Sequence, residues 1–272
     1  MIDPATTYNI TIQCSLDGFC FVVHDVDKNT IVDITNYQTS GNSDSGAIMD
    51  ALDKALFNKD LYDRHFKSVT FIVDNRDNSL VPDEFFDEDS ARALLQFSHP
   101  LSPDSQVLHD SIECMQATNV YALPQPLIER VMKTWDNAHI VHEATVFIES
   151  ILKEEHPEGP TAFVNVKSRD FDLAIVRDQK LVFYNNFKFN TQDDFVYFLI
   201  YALEQYQIDP QLVPIYFTGM INGNSEIIRL CERYIKDLRF FNVDSSIALD
   251  VHITDTPYQY YYIPYKALSC ES

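Results

Sequence analysis

The chain has 272 residues, of which 46% are hydrophobic and 22% charged, a composition typical of folded rather than disordered proteins. Its formal charge of −21 at pH 7 disfavours general nucleic-acid binding, because an anionic surface repels phosphate backbones. The length suits two lobes, each large enough for a core of its own.

Localisation signals are weak throughout the chain. The five cysteines form no C-x-x-C pair, so free thiols in a reducing cytoplasm are expected. The first ten residues lack the basic and apolar regions of a secretory signal. The longest apolar run, Phe195–Leu203, is far shorter than the ~20 residues that span a bilayer. We therefore expect a cytoplasmic protein without a transmembrane segment.

The first 73 residues predict three strands, a helix and a fourth strand. The strands at 8–14 and 19–25 flank Asp17-Gly18, a dipeptide typical of β-hairpin turns. A strand at 30–37 follows, and Asp44 or Ser45 is expected to cap the next helix. The buried stripe of that helix is expected to comprise Ile48, Leu52, Ala55 and Leu56. A strand at 67–73 completes the pattern.

The middle of the chain predicts a further α/β segment. An acidic stretch at 82–97 reads as a helix whose carboxylates face the positive end of its dipole. Two strands are expected within 106–122, and helices are expected after Pro126 and at 143–153. Gly159-Pro160 then marks a boundary, which divides the chain into domains at 1–158 and 159–272.

Residues 161–241 predict the order strand, strand, strand, helix, strand, helix, strand, which is the order of an RNase H-like lobe. The first lobe repeats the beginning of this order, which favours a tandem fold. A strand is expected at 247–253. The aromatic run from Tyr258 to Tyr265 is open to two interpretations, a partner-binding surface or a strand region that covers a sheet edge.

Motifs for chemistry are scarce. The chain has no glycine-rich phosphate loop, and the run from Gly41 to Gly46 is interpreted as a helix cap. His139 and His142 form a close pair beside Glu143, interpreted as structural because no further ligand is near. No catalytic residue and no metal ligand is therefore predicted.

Several segments carry a family resemblance. Residues 119–152, together with the second lobe, resemble actin-like ATPases of the PilM, GspL and FtsA type. The whole chain is more similar to an uncharacterised family, found mainly in Bacteroidetes, through residues 80–97, the NVYALP segment at 119–124 and the YKALSCE segment at 265–271. This resemblance implies an α/β fold with two RNase H-like lobes in tandem, the actin-like ATPase architecture, with mixed five-stranded sheets flanked by helices.

The resemblance also implies where a nucleotide would bind. The first hairpin of each lobe would wrap phosphates, and a strand–Gly–Gly turn would admit the adenosine. The matching positions in this chain are Ser15, Asp17, Gly18, Lys167, Ser168, Thr218 and Gly219. The chain also departs from the nucleotide-binding pattern of this family. Gln13-Cys14-Ser15 and Asn165-Val166-Lys167 stand where active members have Asp-x-Gly, and Met220 replaces the second glycine of the adenosine turn.

These departures favour a non-catalytic scaffold or interaction module that has no cofactor and an unidentified protein partner. The first alternative is an ATPase or kinase-like enzyme that binds ATP and magnesium. Its candidate binding residues are the seven positions implied by the resemblance, from Ser15 to Gly219. The second is a metal-dependent RNase H-like nuclease, which would depend on Asp170 or Asp172. Asn165 disfavours that activity, because a neutral amide replaces the carboxylate expected on the first strand.

Overall fold

The computed structural model describes residues 7–15, 18–38, 45–59, 65–155, 157–241, 247–253 and 257–270. The chain divides into two compact units. The first comprises Met1–Phe147, Ser245–Thr254 and Pro264–Ser272, and the second comprises Ile148–Asp244 and Asp255–Ile263. The sequence predicts a single boundary at 158–159, whereas the C-terminal segment contributes to both units. No helix within the described ranges is both long and apolar enough to cross a membrane.

The first half of the chain contains eight strands and four α-helices among the described residues. They are β1 (Tyr8–Ser15), β2 (Gly18–Asp25), β3 (Thr30–Gln38), α1 (Ser45–Lys59), β4 (Ser68–Val73), β5 (Asn78–Pro82), α2 (Ala91–Ser98), β6 (Ser105–Ile112), β7 (Ala117–Pro124), α3 (Gln125–Thr134), β8 (Ala138–His142) and α4 (Glu143–Lys153). The second half contains β9 (Pro160–Val166), β10 (Asp170–Arg177), β11 (Lys180–Lys188), α5 (Gln192–Gln205), β12 (Pro214–Gly219), α6 (Glu226–Cys231), β13 (Asp237–Phe240), β14 (Ala248–Leu249) and α7 (Tyr262–Cys270).

The main sheet of the first unit has, among the described residues, the strand order β14-β3-β2-β1-β4-β8. Strand β1 is antiparallel to β2 and parallel to β4, so the sheet is mixed, as predicted. It carries a sixth, two-residue strand, β14, beyond the five expected. The predicted stripe of α1 is confirmed by the burial of Leu52, Ala55 and Leu56 and the packing of Ile48 on the same core. Asp44 and the side chain of Ser45 lie outside the described part of the chain.

A small second layer is inserted in the first unit. Strands β5, β7 and β6 form a three-stranded antiparallel sheet in the described residues, and α2 packs on it through Ala91 and Leu95. The single helix predicted over 82–97 is wrong in its first half. Phe86 and Asp87 are extended, and two short 3-10 turns precede α2. From Ala91 onward, apolar side chains recur at helical spacing, and Ala91 and Leu95 are buried against this sheet, whereas Phe86 packs on the same core from an extended backbone.

The sheet of the second unit has the order β11-β10-β9-β12-β13 in the described chain. Strand β9 lies at its centre, antiparallel to β10 and parallel to β12. Every strand and helix predicted over 161–241 is present, although α6 ends at Cys231, earlier than expected. Helix α5 begins with a capping box, in which Thr191 and Asp194 bond to each other's backbone N–H groups.

The strand region predicted at the C-terminus is wrong. Only Ala248–Leu249 pair as a strand, and the aromatic run forms a 3-10 turn at Tyr258–Tyr261 followed by α7. Tyr261, Tyr262 and Tyr265 are buried. Tyr261 and Tyr262 are adjacent and both buried, which a strand that faces a single core could not achieve. Burial therefore outweighs the strand propensity of tyrosine.

Candidate functional site

Four of the predicted site residues meet at one end of the second unit's sheet. Strands β9 and β12 are parallel, and Thr218 pairs with Asn165 while Gly219 pairs with Val166. Lys167 and Ser168 follow β9 directly, and the N–H of Lys167 donates to the carbonyl of Asp170 at 2.9 Å to close a tight hairpin. The adenosine-turn and phosphate-hairpin positions implied by the resemblance are therefore adjacent in this unit.

Gly219 is required by the close approach of β9. Its φ is +84°, and a Cβ built there would lie 2.2 Å from the carbonyl oxygen of Val166. The same carbonyl accepts a 2.7 Å hydrogen bond from the N–H of Met220. The side chain of Met220 is 58% exposed. The space that a missing Cβ leaves at Gly219 is thus taken by the protein's own backbone.

Thr218 is engaged in a contact within the same unit. Its side chain is fully buried, and Oγ1 donates to the carbonyl of Gln259 at 3.0 Å. The amide of Gln259 in turn donates to the carbonyl of Ile221 at 3.0 Å. These bonds tie the segment after β12 to the 3-10 turn at Tyr258–Tyr261.

Lys167 faces two carboxylates of the next strand. Its Nζ lies 2.9 Å from Oδ2 of Asp172 and 3.9 Å from Oδ1 of Asp170. The ammonium of Lys167 is therefore shared between two carboxylates of the same hairpin. A phosphate at this position would compete with Asp172 for the ammonium and would be repelled by Asp170.

Asp172 is also held by neutral donors. Asn165 donates to Oδ2 at 3.1 Å, while Asn186 at 2.9 Å and Tyr184 at 3.2 Å donate to Oδ1. Asn165 therefore takes part in a buried network that links β9, β10 and β11. Within the described ranges, no group of three or more His, Cys, Asp or Glu side chains is arranged to hold a metal ion.

The candidate residues of the first unit lie at the β1–β2 hairpin. Ser15 pairs with Gly18, and Ser15 Oγ donates to the carbonyl of Gly18 at 3.4 Å. Asp17 falls outside the described residues. Gly18 has φ +148°, and a Cβ there would lie 1.9 Å from the carbonyl oxygen of Tyr37. Strand packing in the first unit therefore accounts for this glycine.

A second buried polar network, centred on Asp110, could not be recognised in the sequence. Its Oδ1 accepts from the hydroxyl of Tyr121 at 2.9 Å, and its Oδ2 accepts from the N–H of His142 and the hydroxyl of Thr145, both at 2.8 Å. The network joins β6, β7, β8 and the start of α4. Its members come from four different elements, and Asp110 lies more than thirty positions before His142 and Thr145, so no local sequence motif identifies the network.

Burial sets the protonation behaviour of this network. Burial raises the pKa of Asp110, an effect that the hydrogen bonds from His142, Thr145 and Tyr121 oppose. Burial, followed by the charge of Asp110, raises the pKa of Tyr121 well above its usual range. Nδ1 of His142 accepts from the N–H of Ala144 at 3.0 Å, so Nε2 carries the proton and donates to the carbonyl of Asn75.

Two cysteine thiols are unsuited to nucleophilic chemistry. Burial raises the pKa of Cys20 and of Cys231 to about 12 in each case. The thiolate is the reactive form, and it is scarce at neutral pH in such surroundings.

The family model described as "Protein of unknown function (DUF3822)" matches residues 1–238. The chain belongs to this family. No functionally curated protein matches this DUF3822 member.

Solved structures show the fold of this DUF3822 member. It is similar to a Bacteroides thetaiotaomicron protein described as having an actin-like ATPase fold and unknown function, with a TM-score of 0.79 and 18% identity over 89% of this chain and 94% of that one. It is also similar to a chain of a PilM–PilN type IV pilus biogenesis complex, with a TM-score of 0.62 and 14% identity over 96% and 98% of the two chains. The predicted family resemblance and the actin-like ATPase fold are confirmed.

Proposed function

We propose that this DUF3822 protein is a non-catalytic member of the actin-like ATPase class that acts as a cytoplasmic scaffold or interaction module. The contact between Lys167 and Asp172, 2.9 Å from Nζ to Oδ2, is the observation that carries the proposal. Actin-like ATPases must neutralise phosphate charge, and their catalysis consists mainly of positioning and electrostatic stabilisation. Here the ammonium of Lys167 forms an ion pair with the carboxylate of Asp172 instead.

The glycine of the adenosine turn supports the same proposal. Gly219 accommodates the backbone of Val166, so its retention is explained without a ligand. A chain of similar fold is part of what is described as a PilM–PilN type IV pilus biogenesis complex. An actin-like lobe pair that has lost nucleotide chemistry can still serve as a partner for other proteins.

Thermal melting with and without ATP and Mg²⁺ tests the proposal. A nucleotide at 100 times its Kd would stabilise the native state by about 2.7 kcal/mol, and a chain of this size would melt roughly 5–10 °C higher. We expect no saturable rise. Mg²⁺ alone and tripolyphosphate with Mg²⁺ serve as controls for general ionic effects.

A saturable rise with ATP would overturn the proposal in favour of a nucleotide-binding protein. In that event, Lys167→Met and Asp17→Asn should each weaken ATP binding if the sequence-predicted residues form the site. An unchanged ATP response in both variants would place the nucleotide elsewhere.

A further inference from the structure

One face of α5 carries an exposed pair of stacked tyrosines. Asp193, Tyr197, Tyr201 and Glu204 follow one another at intervals of four, four and three residues, so they lie along a single stripe of the helix. The rings of Tyr197 and Tyr201 are 5.9 Å apart and inclined by 15°. Their exposed fractions are 61% and 48%.

This stripe forms one side of a groove of about 370 Å³ in the second unit. The opposite side is formed by α6 and the turn after it, with Arg233 and Tyr234 among its lining residues. We call this feature the tyrosine groove and define it by Asp193, Tyr197, Tyr201, Glu204, Arg233 and Tyr234. Its volume lies within the range of about 300–1,000 Å³ typical of binding pockets and suits a few side chains.

The hydrophobic core does not explain these tyrosines. The core-facing side of α5 is provided by Phe195, Leu199 and Leu203, which are fully buried. Tyr197 and Tyr201 point away from that face, and Tyr234 beside them is half exposed. Clustered exposed tyrosines are typical of protein–protein interfaces, where a rigid ring contributes contact area at low entropic cost.

The charges of the groove favour a cationic occupant. Carboxylates at Asp193 and Glu204 flank the stacked rings, and Arg233 is the one basic side chain among the residues that line the groove. Tyrosine faces attract cations, with about 0.5–1 kcal/mol per contact at exposed sites. A second copy of the chain would bring the same carboxylates and a further −21 of charge to the contact, which is unfavourable.

We infer that the tyrosine groove docks a short basic and apolar segment of a partner protein, with a Lys or Arg side chain over the rings of Tyr197 and Tyr201. Asp193 and Glu204 would pair with further basic groups of the segment. The inference rests on the proposed function as an interaction module and names the chemistry of the partner.

Fluorescence polarisation with a labelled 12-residue peptide of Lys and Leu at helical spacing tests this inference. The same peptide with every Lys replaced by Gln is the neutral comparison. In the full-length protein, Tyr197→Ala with Tyr201→Ala should weaken binding of the Lys peptide about tenfold, the combined effect of two ring contacts. Tyr258→Ala, at another exposed tyrosine, should change it less than twofold, since ~0.4 kcal/mol corresponds to twofold.

Charge-matched variants separate the groove from the general attraction of an acidic protein. Asp193→Asn with Glu204→Gln and Glu84→Gln with Glu88→Gln change the net charge equally, and all four side chains are exposed. Only the first pair should weaken binding. Arg233→Gln should strengthen binding, because it removes the opposing charge from the groove.

Three outcomes would overturn the inference: absence of binding to the wild type, equal weakening by both charge-matched pairs, and self-association that the tyrosine variants abolish. ATP-induced stabilisation, measured separately, bears on the proposed function alone. Groove-dependent peptide binding together with an ATP response would retain the groove and reject the non-catalytic role.

Discussion

Lys167 and Asp172 form an ion pair across the β9–β10 hairpin, with side chains that are 13% and 2% exposed. The short loop places Lys167 opposite Asp170, and Asp172 opposite Asn165 on the same face of the sheet. The pair therefore arises from hairpin register.

Replacing Lys167 by Met should destabilise the second unit. The variant leaves the carboxylate of Asp172 buried without its ammonium partner, and breaking such a pair costs about 3–5 kcal/mol. Urea denaturation would measure the loss as a lower transition midpoint. Lys153→Met is the matched control, because Lys153 pairs with Glu149 at 3.1 Å with half of its side chain exposed. That control should cost less than about 1 kcal/mol, and equal losses in the two variants would contradict a special role for the buried pair.

Gly219→Ala should destabilise the protein more than Gly159→Ala. Both glycines have positive φ, +84° and +90°, so each alanine carries a left-handed strain of about 1–2 kcal/mol. Only at Gly219 would the Cβ also meet backbone, at 2.2 Å from the carbonyl oxygen of Val166. Chemical denaturation of the two variants should differ by at least about 1 kcal/mol. Equal losses of stability in the two variants would mean that β9 shifts away from the added Cβ without a measurable energetic cost.

The capping box of α5 predicts a pH-dependent loss in Asp194→Ala. Backbone N–H groups of Asn190 and Thr191 lower the pKa of Asp194. Because its folded-state pKa lies below the unfolded value of about 3.9, this carboxylate stabilises the protein above that value, and the contribution is lost as the pH falls through the folded pKa. The melting temperature of Asp194→Ala should lie below the wild type at pH 7, and the gap should close in acid. A gap that persists unchanged in acid would contradict this reasoning.

Asp110 predicts the opposite pH dependence. Burial raises its pKa, so the native state binds this proton more tightly than the unfolded state. The contribution to stability is complete below about pH 3.9 and is lost as the pH rises through the raised pKa. The stability of the wild type relative to Asp110→Asn should therefore decrease between acidic and neutral pH in denaturant titrations. An increase would show that the three hydrogen-bond donors outweigh burial.

Much of the second unit could be predicted from local patterns. Runs such as 171–177 and 180–188 are rich in β-branched and aromatic residues, which favour strands. The spacing of Thr191 and Asp194 is typical of a capping box and indicates the start of α5. The predictions failed where packing overrode propensity. The tyrosines of 258–265 have strand preferences, yet Tyr261, Tyr262 and Tyr265 are buried at helical spacing.

The order of strands and helices follows from periodicity along the chain, because hydrophobic spacing is a local property. This order predicted RNase H-like lobes in tandem, and the family resemblance of segments such as 80–97 and 119–152 implied the actin-like fold. Ion pairs, and positions where only glycine fits, depend instead on residues that come into contact across neighbouring strands. Gly219 is needed because Val166, more than fifty positions earlier, approaches it, and the ammonium of Lys167 is neutralised because the hairpin brings Asp172 to it. These contacts form only on folding. The sequence alone therefore could not show that the protein's own backbone and carboxylates contact Gly219 and Lys167.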